Sequence, residues 1–187
     1  MQTQPSVIAT GDFLYFAPAG QAFTVPSAGT VGPAAKPGAT DAIWTTFALG
    51  TVKKPATVKK TAKETMIKAP LPNSGMIATT NVLRSELGFV MDIEMNEISR
   101  LALAGFYQSG LIALNATSFY PLAGIANFLG WLKIQRFDAS LATGTPWLVE
   151  DWWVDLNVTD IAVGENNVIQ PKFAATWLYS ALAGAAC

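Results

Sequence analysis

Residues 87–107, LGFVMDIEMNEISRLALAGFY, predict a β-strand that leads directly into an α-helix. As far as Met95, large apolar residues alternate with a glycine, a valine and two acids, and successive side chains of a strand point to opposite faces of a sheet. From Asn96 the apolar residues recur at helical spacing, and the Asn96 side chain is suited to cap the first turn. Gly110 is suited to end the helix. The stretch therefore predicts one helix, at about residues 96–109, in a mainly β chain.

Two strands with this alternation predict where the core lies. Asp92 and Glu94 are on the polar side of the first strand, and Asp151 and Asp155 are on the polar side of a second strand at 147–158. The predicted core comprises residues on the opposite side of the two strands together with one residue of the helix, Leu101. The strand residues are Phe89, Met91, Ile93, Trp152, Val154 and Leu156. The four acids are expected to form one acidic, solvated face of a sheet.

The composition has few charges for a soluble protein. Charged residues make up 13% of the 187 residues and hydrophobic residues 51%, with a mean hydropathy of +0.32, whereas an ordinary soluble domain has about 25% charged residues. Such a chain is either a membrane protein or a subunit that buries much of its surface in an assembly. A spanning helix needs about 20 consecutive apolar residues. The sequence has no such run, so an assembly subunit without a membrane span or signal peptide is the expectation.

The charges are divided unevenly along the chain. Residues 1–85 have eight basic and three acidic groups, and residues 86–187 have four basic and ten acidic groups, which gives net charges of +5 and −6. These sections meet either within one fold or head-to-tail between identical copies. Both alternatives are open from the sequence. One acid, Glu150, is out of pattern because it falls on the apolar side of its strand.

The whole chain, residues 1–187, is predicted to form a single domain. Its predicted segments are an N-terminal arm at 1–11, a Pro/Gly-rich loop at 17–41, a basic hairpin at 51–84 and a C-terminal tail at 180–187. A short strand is predicted from Phe13 to Pro18. A second strand is predicted at 42–52, with Trp44 and Phe47 as its apolar anchors.

The predicted hairpin is rich in lysine. Its candidate contact residues are Lys53, Lys54, Lys59, Lys60, Lys63 and Lys68. One interpretation is a solvated edge, because lysines prevent uncontrolled pairing at the edge of a sheet. The other is a projecting arm that contacts an acidic neighbour.

The sequence favours a protein that is not an enzyme. The chain has no histidine and one cysteine, Cys187, which excludes histidine-dependent nucleophilic triads and makes a zinc site improbable. Asp92 with Glu94, and Asp151 with Asp155, are carboxylate pairs of the kind used in acid–base catalysis, but ion-paired or solvated faces are the preferred interpretation. The six tryptophans could stack on sugars or bases, although core and interface packing is preferred. No catalytic residue, cofactor or metal is predicted.

Two short motifs stand out in residues 42–107. The predicted helix has a pattern of the S-x-x-L-A-L-x-G kind at Ser99, Leu101, Ala102, Leu103 and Gly105, and Leu49, Gly50 and Val52 precede the hairpin. With the order of the elements, these motifs resemble the tail tube (major tail) proteins of long-tailed bacteriophages. Leu101 departs from the pattern, since it follows Ser99 by two residues rather than three.

This resemblance implies a two-sheet β-barrel or sandwich, flanked by one helix and extended by a hairpin, loops and arms. It implies homohexameric rings that stack around a tape-measure protein, with other tail proteins as partners, in a virion tail assembled in the host cytoplasm. Genome DNA would pass through the tube without specific binding, and an acidic lumen face would repel it. The alternative is a β-rich ring-forming or binding module of another tail component or of a bacterial injection machine tube. A carboxylate enzyme is the third possibility.

Overall fold

The computed structural model describes residues 9–21, 36–54, 56–70, 77–108, 122, 128–138, 144–163 and 169–178. The strands are β1 Ala9–Pro18, β2 Ala48–Thr51, β3 Thr57–Pro70, β4 Ile77–Glu94, β5 Phe128–Asp138, β6 Pro146–Val163 and β7 Ile169–Trp177. The helices are α1 Ala42–Thr46 and α2 Arg100–Phe106. The predicted mainly β fold is therefore confirmed. None of the helices in these described ranges is long and apolar enough to span a membrane.

The strands form one antiparallel sheet in the order β2-β1-β5-β6-β7-β4-β3. Its two ends approach each other just after β2, where Val52 and Met95 form an isolated antiparallel bridge. Beside the bridge, the Lys53 amide donates to the Glu94 carbonyl at 2.8 Å. One bridge is not a ladder of pairs. The described residues therefore form one curled, open sheet, and the two-sheet barrel or sandwich that the resemblance implies is not confirmed.

The main core lies on one face of this sheet, and α2 packs against it. A Cβ added to Gly105 would lie 2.6 Å from Val158 and 2.8 Å from Phe128, so the helix backbone directly contacts β5 and β6. Five predicted core residues are buried in this cluster: Met91, Ile93, Leu101, Val154 and Leu156. Trp152 is partly buried against it. Phe89 is half-buried, and its ring centroid is 5.7 Å from that of Trp152.

The helix α2 is shorter than predicted and begins four residues later. Its N-cap is Ser99, whose hydroxyl accepts from the Ala102 amide at 3.1 Å. Asn96 does not cap it, because the Asn96 side-chain amide donates to the Val52 carbonyl at 3.0 Å near the bridge. The apolar residues at helical spacing therefore begin before the first helical residue, Arg100. The predicted end at Gly110 falls outside the described residues, and the helix already ends at Phe106.

The strand predicted at 42–52 is wrong over its first half, which forms α1. The Asp41 carboxylate caps this single turn by accepting from the Ile43 amide at 2.9 Å. The hydroxyls of Thr45 and Thr46 both donate to the carbonyl of Ala42. Such local side-chain bonds to the backbone compete with the extended conformation that β-branched and aromatic residues favour.

Other predicted boundaries also shift. The strand β1 begins at Ala9 and ends at Pro18, so it includes the last residues of the predicted N-terminal arm and the first of the predicted loop. The rest of the predicted N-terminal arm, most of the predicted loop and the C-terminal tail at 180–187 lie outside the described residues. The hairpin pairs Thr57 with Asp92 at one end and Pro70 with Ile77 at the other, so it begins after 51 and extends beyond 84.

Candidate functional site

The hairpin continues well beyond the sheet. β4 pairs with β7 only from Val90 to Glu94, whereas its pairing with β3 runs on to Ile77. Among the described residues, 60–70 and 77–89 therefore pair only with each other, and we call these two segments the arm. An isolated two-stranded ribbon is at best marginally stable in water. Among the described residues, the arm therefore lacks the pairing on a second side that the inner strands of the sheet have.

The described side chains of the arm combine positive charge with exposed apolar surface. Lys60, Lys63 and Lys68 are all exposed. Met66 is 60% exposed and Ile67 is 41% exposed. Exposed large apolar side chains that are bordered by polar ones are typical of protein contact surfaces.

The other three candidate lysines lie outside the arm. The Lys53 ammonium donates to the Gln170 side chain at 3.1 Å, and Lys54 is exposed in the segment before β3. Lys59 forms an exposed ion pair with Asp92. An exposed pair of this kind contributes at most about 1 kcal/mol. The structure therefore separates the six lysines into three on the arm and three near its base.

The four candidate acids share the sheet face opposite the main core, which we call the outer face. Their neighbours in sequence, such as Ile93 and Val154, are buried on the core side, and successive side chains of a strand alternate between faces. Asp92 is well exposed, whereas Asp151 is only 17% exposed. The sequence therefore predicted the common face but not its unequal exposure.

Lysines on the outer face reduce its negative charge. Lys172 of β7 lies between two acids, with its ammonium 4.0 Å from the Glu94 carboxylate and 3.9 Å from that of Asp160. Asp151 forms an ion pair with Lys36, which precedes α1. The face is therefore of mixed charge rather than the uniformly acidic one that was expected.

A buried lysine lies in the middle of the outer face. Lys133 of β5 is 4% exposed; its ammonium donates to the Ala39 carbonyl at 3.0 Å and lies 3.9 Å from the centroid of the Trp44 ring. Burial lowers the pKa of Lys133, although the nearby carboxylate of Asp151 acts in the opposite direction. These contacts of Lys133 hold the segment 36–46 against the sheet. The alternation of β5 indicated only that Lys133 faces away from Leu132 and Ile134, not that another segment would cover it.

A second ionic cluster lies on the core face and explains the out-of-pattern Glu150. The two terminal nitrogens of Arg136 contact the Asp12 carboxylate at 3.1 Å and the Glu150 carboxylate at 3.2 Å. The Trp152 indole nitrogen also donates to Glu150, at 3.4 Å. Asp12 is 2% exposed. We call these three charged residues the Asp12 network; sequence analysis missed it because its members lie on three different strands.

A groove of about 470 Å³ lies between β2 and the start of α2. Its polar groups already serve the fold. The Glu97 carboxylate accepts from the amide and hydroxyl of Thr51, at 2.9 and 3.1 Å, and Ser99 caps α2. A Cβ at Gly50 would lie 2.5 Å from the Glu97 carboxylate, and the φ of +106° at Gly50 favours glycine there. The groove therefore offers no arranged acid–base pair among these groups.

Catalytic and metal chemistry find little support in the described residues. The chain has no histidine, and Cys187 lies outside the described ranges. Within those ranges there is no group of three or more acidic or cysteine residues that could hold a metal ion. No protein-family model, curated protein or solved structure matches the chain. The arm and the two charged clusters are therefore the features on which a function can be argued.

Proposed function

We propose that the protein is a structural subunit that assembles into the stacked rings of a virion tail tube, through which the genome is delivered. The observation that carries this proposal is the arm, a two-stranded ribbon that leaves a mainly β body and exposes lysines and large apolar side chains together. Such a ribbon gains its missing packing when it lies against another protein surface.

A second copy of the chain is the natural partner for this arm. Most of the arm, as far as residue 85, belongs to the section of the chain with net charge +5, and most strands of the body belong to the section with net charge −6. A head-to-tail contact joins two different surfaces of identical subunits, so it brings these sections together and generates a ring when the rotation closes. Burial of one large apolar side chain contributes about 1.5–3 kcal/mol, which makes Met66 and Ile67 suitable contact residues.

The curled body is compatible with the wall of a tube. Closure of the seam at Val52 and Met95 would complete a barrel, with α2 packed against the core face of its sheet. The mixed charges of the outer face, in which Lys59 and Lys172 neighbour acids, suit a surface that DNA passes without firm binding. Six copies per ring and a tape-measure partner follow from the resemblance to tail tube proteins and are part of the proposal.

Assembly of the purified protein is the direct test. Sedimentation velocity over a range of protein concentrations, together with negative-stain electron microscopy, should give rings or tubes of constant diameter. A protein that stays monomeric at every concentration would contradict the proposal. It would favour the alternative of a β-rich binding module. If tubes form and a tape-measure gene lies nearby, co-expression of the two proteins would show whether tube length follows that partner.

A further inference from the structure

We infer that Asp12 is the positioning residue that fixes the direction in which the arm leaves the body. The inference deepens the proposed function, because it concerns how the arm is presented for assembly. It depends on the arrangement of the arm root, which is the described part of the link between β2 and β3, residues 52–54 and 56.

The two strands of the arm are held differently where they enter the body. β4 continues from the arm into its ladder with β7, from Val90 to Glu94. β3 is the last strand of the sheet and has no second neighbouring strand among the described residues. The position of the first residues of β3 must therefore be fixed by other contacts. The exposed ion pair between Lys59 and Asp92 is a weak one.

Asp12 supplies this support through two groups. Its main-chain carbonyl accepts from the Val52 amide at 3.1 Å, and its carboxylate accepts from the Ala56 amide at 3.0 Å. Both ends of the arm root are therefore bonded to one residue of β1. The bond to Ala56 is fully buried, so water does not compete for it.

The rest of the Asp12 network holds that carboxylate in place. One carboxylate oxygen of Asp12 accepts both from Ala56 and from Arg136. Arg136 in turn contacts Glu150, so β5 and β6 fix the position of the guanidinium. The other carboxylate oxygen of Asp12 is buried and has no hydrogen-bond partner among the described residues.

This arrangement is costly if it serves stability alone. Buried ion pairs are often replaced by apolar residues with no loss of stability, because desolvation offsets their attraction. An unpartnered buried oxygen adds to the cost. A geometric role accounts for the arrangement better, because only the carboxylate joins the guanidinium to the arm root.

The test measures the arm direction in the monomer by pulsed electron paramagnetic resonance. Spin labels are placed at Met66→Cys on the arm and at Asn157→Cys on the body, because both positions are exposed. Cys187→Ser removes the native thiol, so that only these two positions are labelled. The unaltered network should give a narrow distribution of distances between the labels. Asp12→Leu should broaden it, because the acceptor for Ala56 is lost. Asp12→Asn should keep it narrow, since the amide oxygen can still accept from Ala56.

Matched variants separate a positioning role from a general effect on stability. Glu150→Gln perturbs the same network without touching Ala56 and should leave the distribution narrow. Ala56→Pro removes the donor and keeps the network, so it should broaden the distribution even where Asp12→Leu does not fold. Equal broadening by Glu150→Gln, or a narrow distribution in Ala56→Pro, would overturn the inference.

These readouts do not depend on assembly. If the distance distributions behave as expected while the unaltered protein forms no rings, the proposed function fails and the positioning role of Asp12 stands. If Ala56→Pro broadens the distance distribution but rings still form normally, the positioning role is real but assembly does not require it. That result overturns the link between arm direction and assembly.

Discussion

The arm and the body of the sheet share two strands, β3 and β4, but these strands are stabilised differently in the two regions. Within the body, β4 pairs on both sides and places Met91 and Ile93 in the core. In the arm, the same strand pairs only with β3, where Met66 is mostly exposed. One continuous strand is therefore part of the stable sheet at one end and of an exposed ribbon at the other, because a strand's contribution to stability depends on what its faces contact.

Charge separates the two regions as well. The body contains two sites of buried charge, the contact of Arg136 with Asp12 and the lysine Lys133 beneath its covering segment. The arm leaves Lys60 and Lys68 exposed. Buried charges fix geometry within one subunit, whereas exposed charges steer contacts with another.

The largest expected effect is the loss of body packing. Leu156→Ala should lower the free energy of unfolding by about 2–5 kcal/mol, because this fully buried side chain leaves a cavity. Met66→Ala on the arm should change it by less than about 0.5 kcal/mol. Urea unfolding of the monomer measures both. Similar losses in the two variants would show that the arm packs against its own subunit.

Charge reversal on the arm should affect assembly and not folding. Lys60→Glu combined with Lys68→Glu should raise the protein concentration needed for assembly at least about tenfold, which corresponds to about 1.4 kcal/mol. The matched control is Lys53→Glu with Lys54→Glu, which makes the same charge change outside the arm. Light scattering against concentration measures both. An equal effect of the control would indicate a response to net charge rather than to the arm.

The cap of α2 gives a smaller effect within the body. Ser99→Ala should cost about 1 kcal/mol of unfolding free energy, because the Ala102 amide loses its acceptor. Amide exchange should become faster in the first turn of α2 and stay unchanged in the arm. If Ser99→Ala were neutral, the helix would not depend on this cap.

The smallest expected effect is the pH dependence that Lys133 contributes. Burial lowers the pKa of this lysine below its ordinary value of 10.5, so the folded state loses its proton first as pH rises. Between the lowered pKa and 10.5 the unfolded chain binds more protons, and stability therefore rises with pH in this window. The difference in unfolding free energy between the native protein and Lys133→Met should show this rise. A constant difference up to about pH 11 would mean that burial does not perturb the lysine.

Local patterns predicted much of the fold but not its boundaries. Alternation identified the core faces of β4 and β6, because neighbouring side chains of a strand always point to opposite sides. Helical spacing also identified α2, but it could not locate the start, since Asn96 and Ser99 are both good capping residues. The choice between them is made by the Val52 carbonyl, which engages Asn96. For α1, the Asp41 cap outweighed the strand preference of the following residues.

The candidate site was predictable only in part, for the same reason. A run of lysines indicated the hairpin, but the number of strands beside it decided that Lys60 is on the arm while Lys59 is at the base. The shared outer face of the four acids followed from alternation. Their neutralising lysines did not, because Lys36 and Lys172 come from other segments.

By itself, the sequence determined the mainly β character, the faces of the strands, the basic hairpin and the absence of histidine chemistry. These properties depend on residue type and on spacings of a few residues. The tertiary structure alone decided the seam at Val52, the cover over Lys133 and the Asp12 network. Asp12 and Arg136 are 124 residues apart in the chain, and Asp12 and Ala56 are 44 apart. Contacts over such separations are set by how the sheet curls, a property that no local pattern contains.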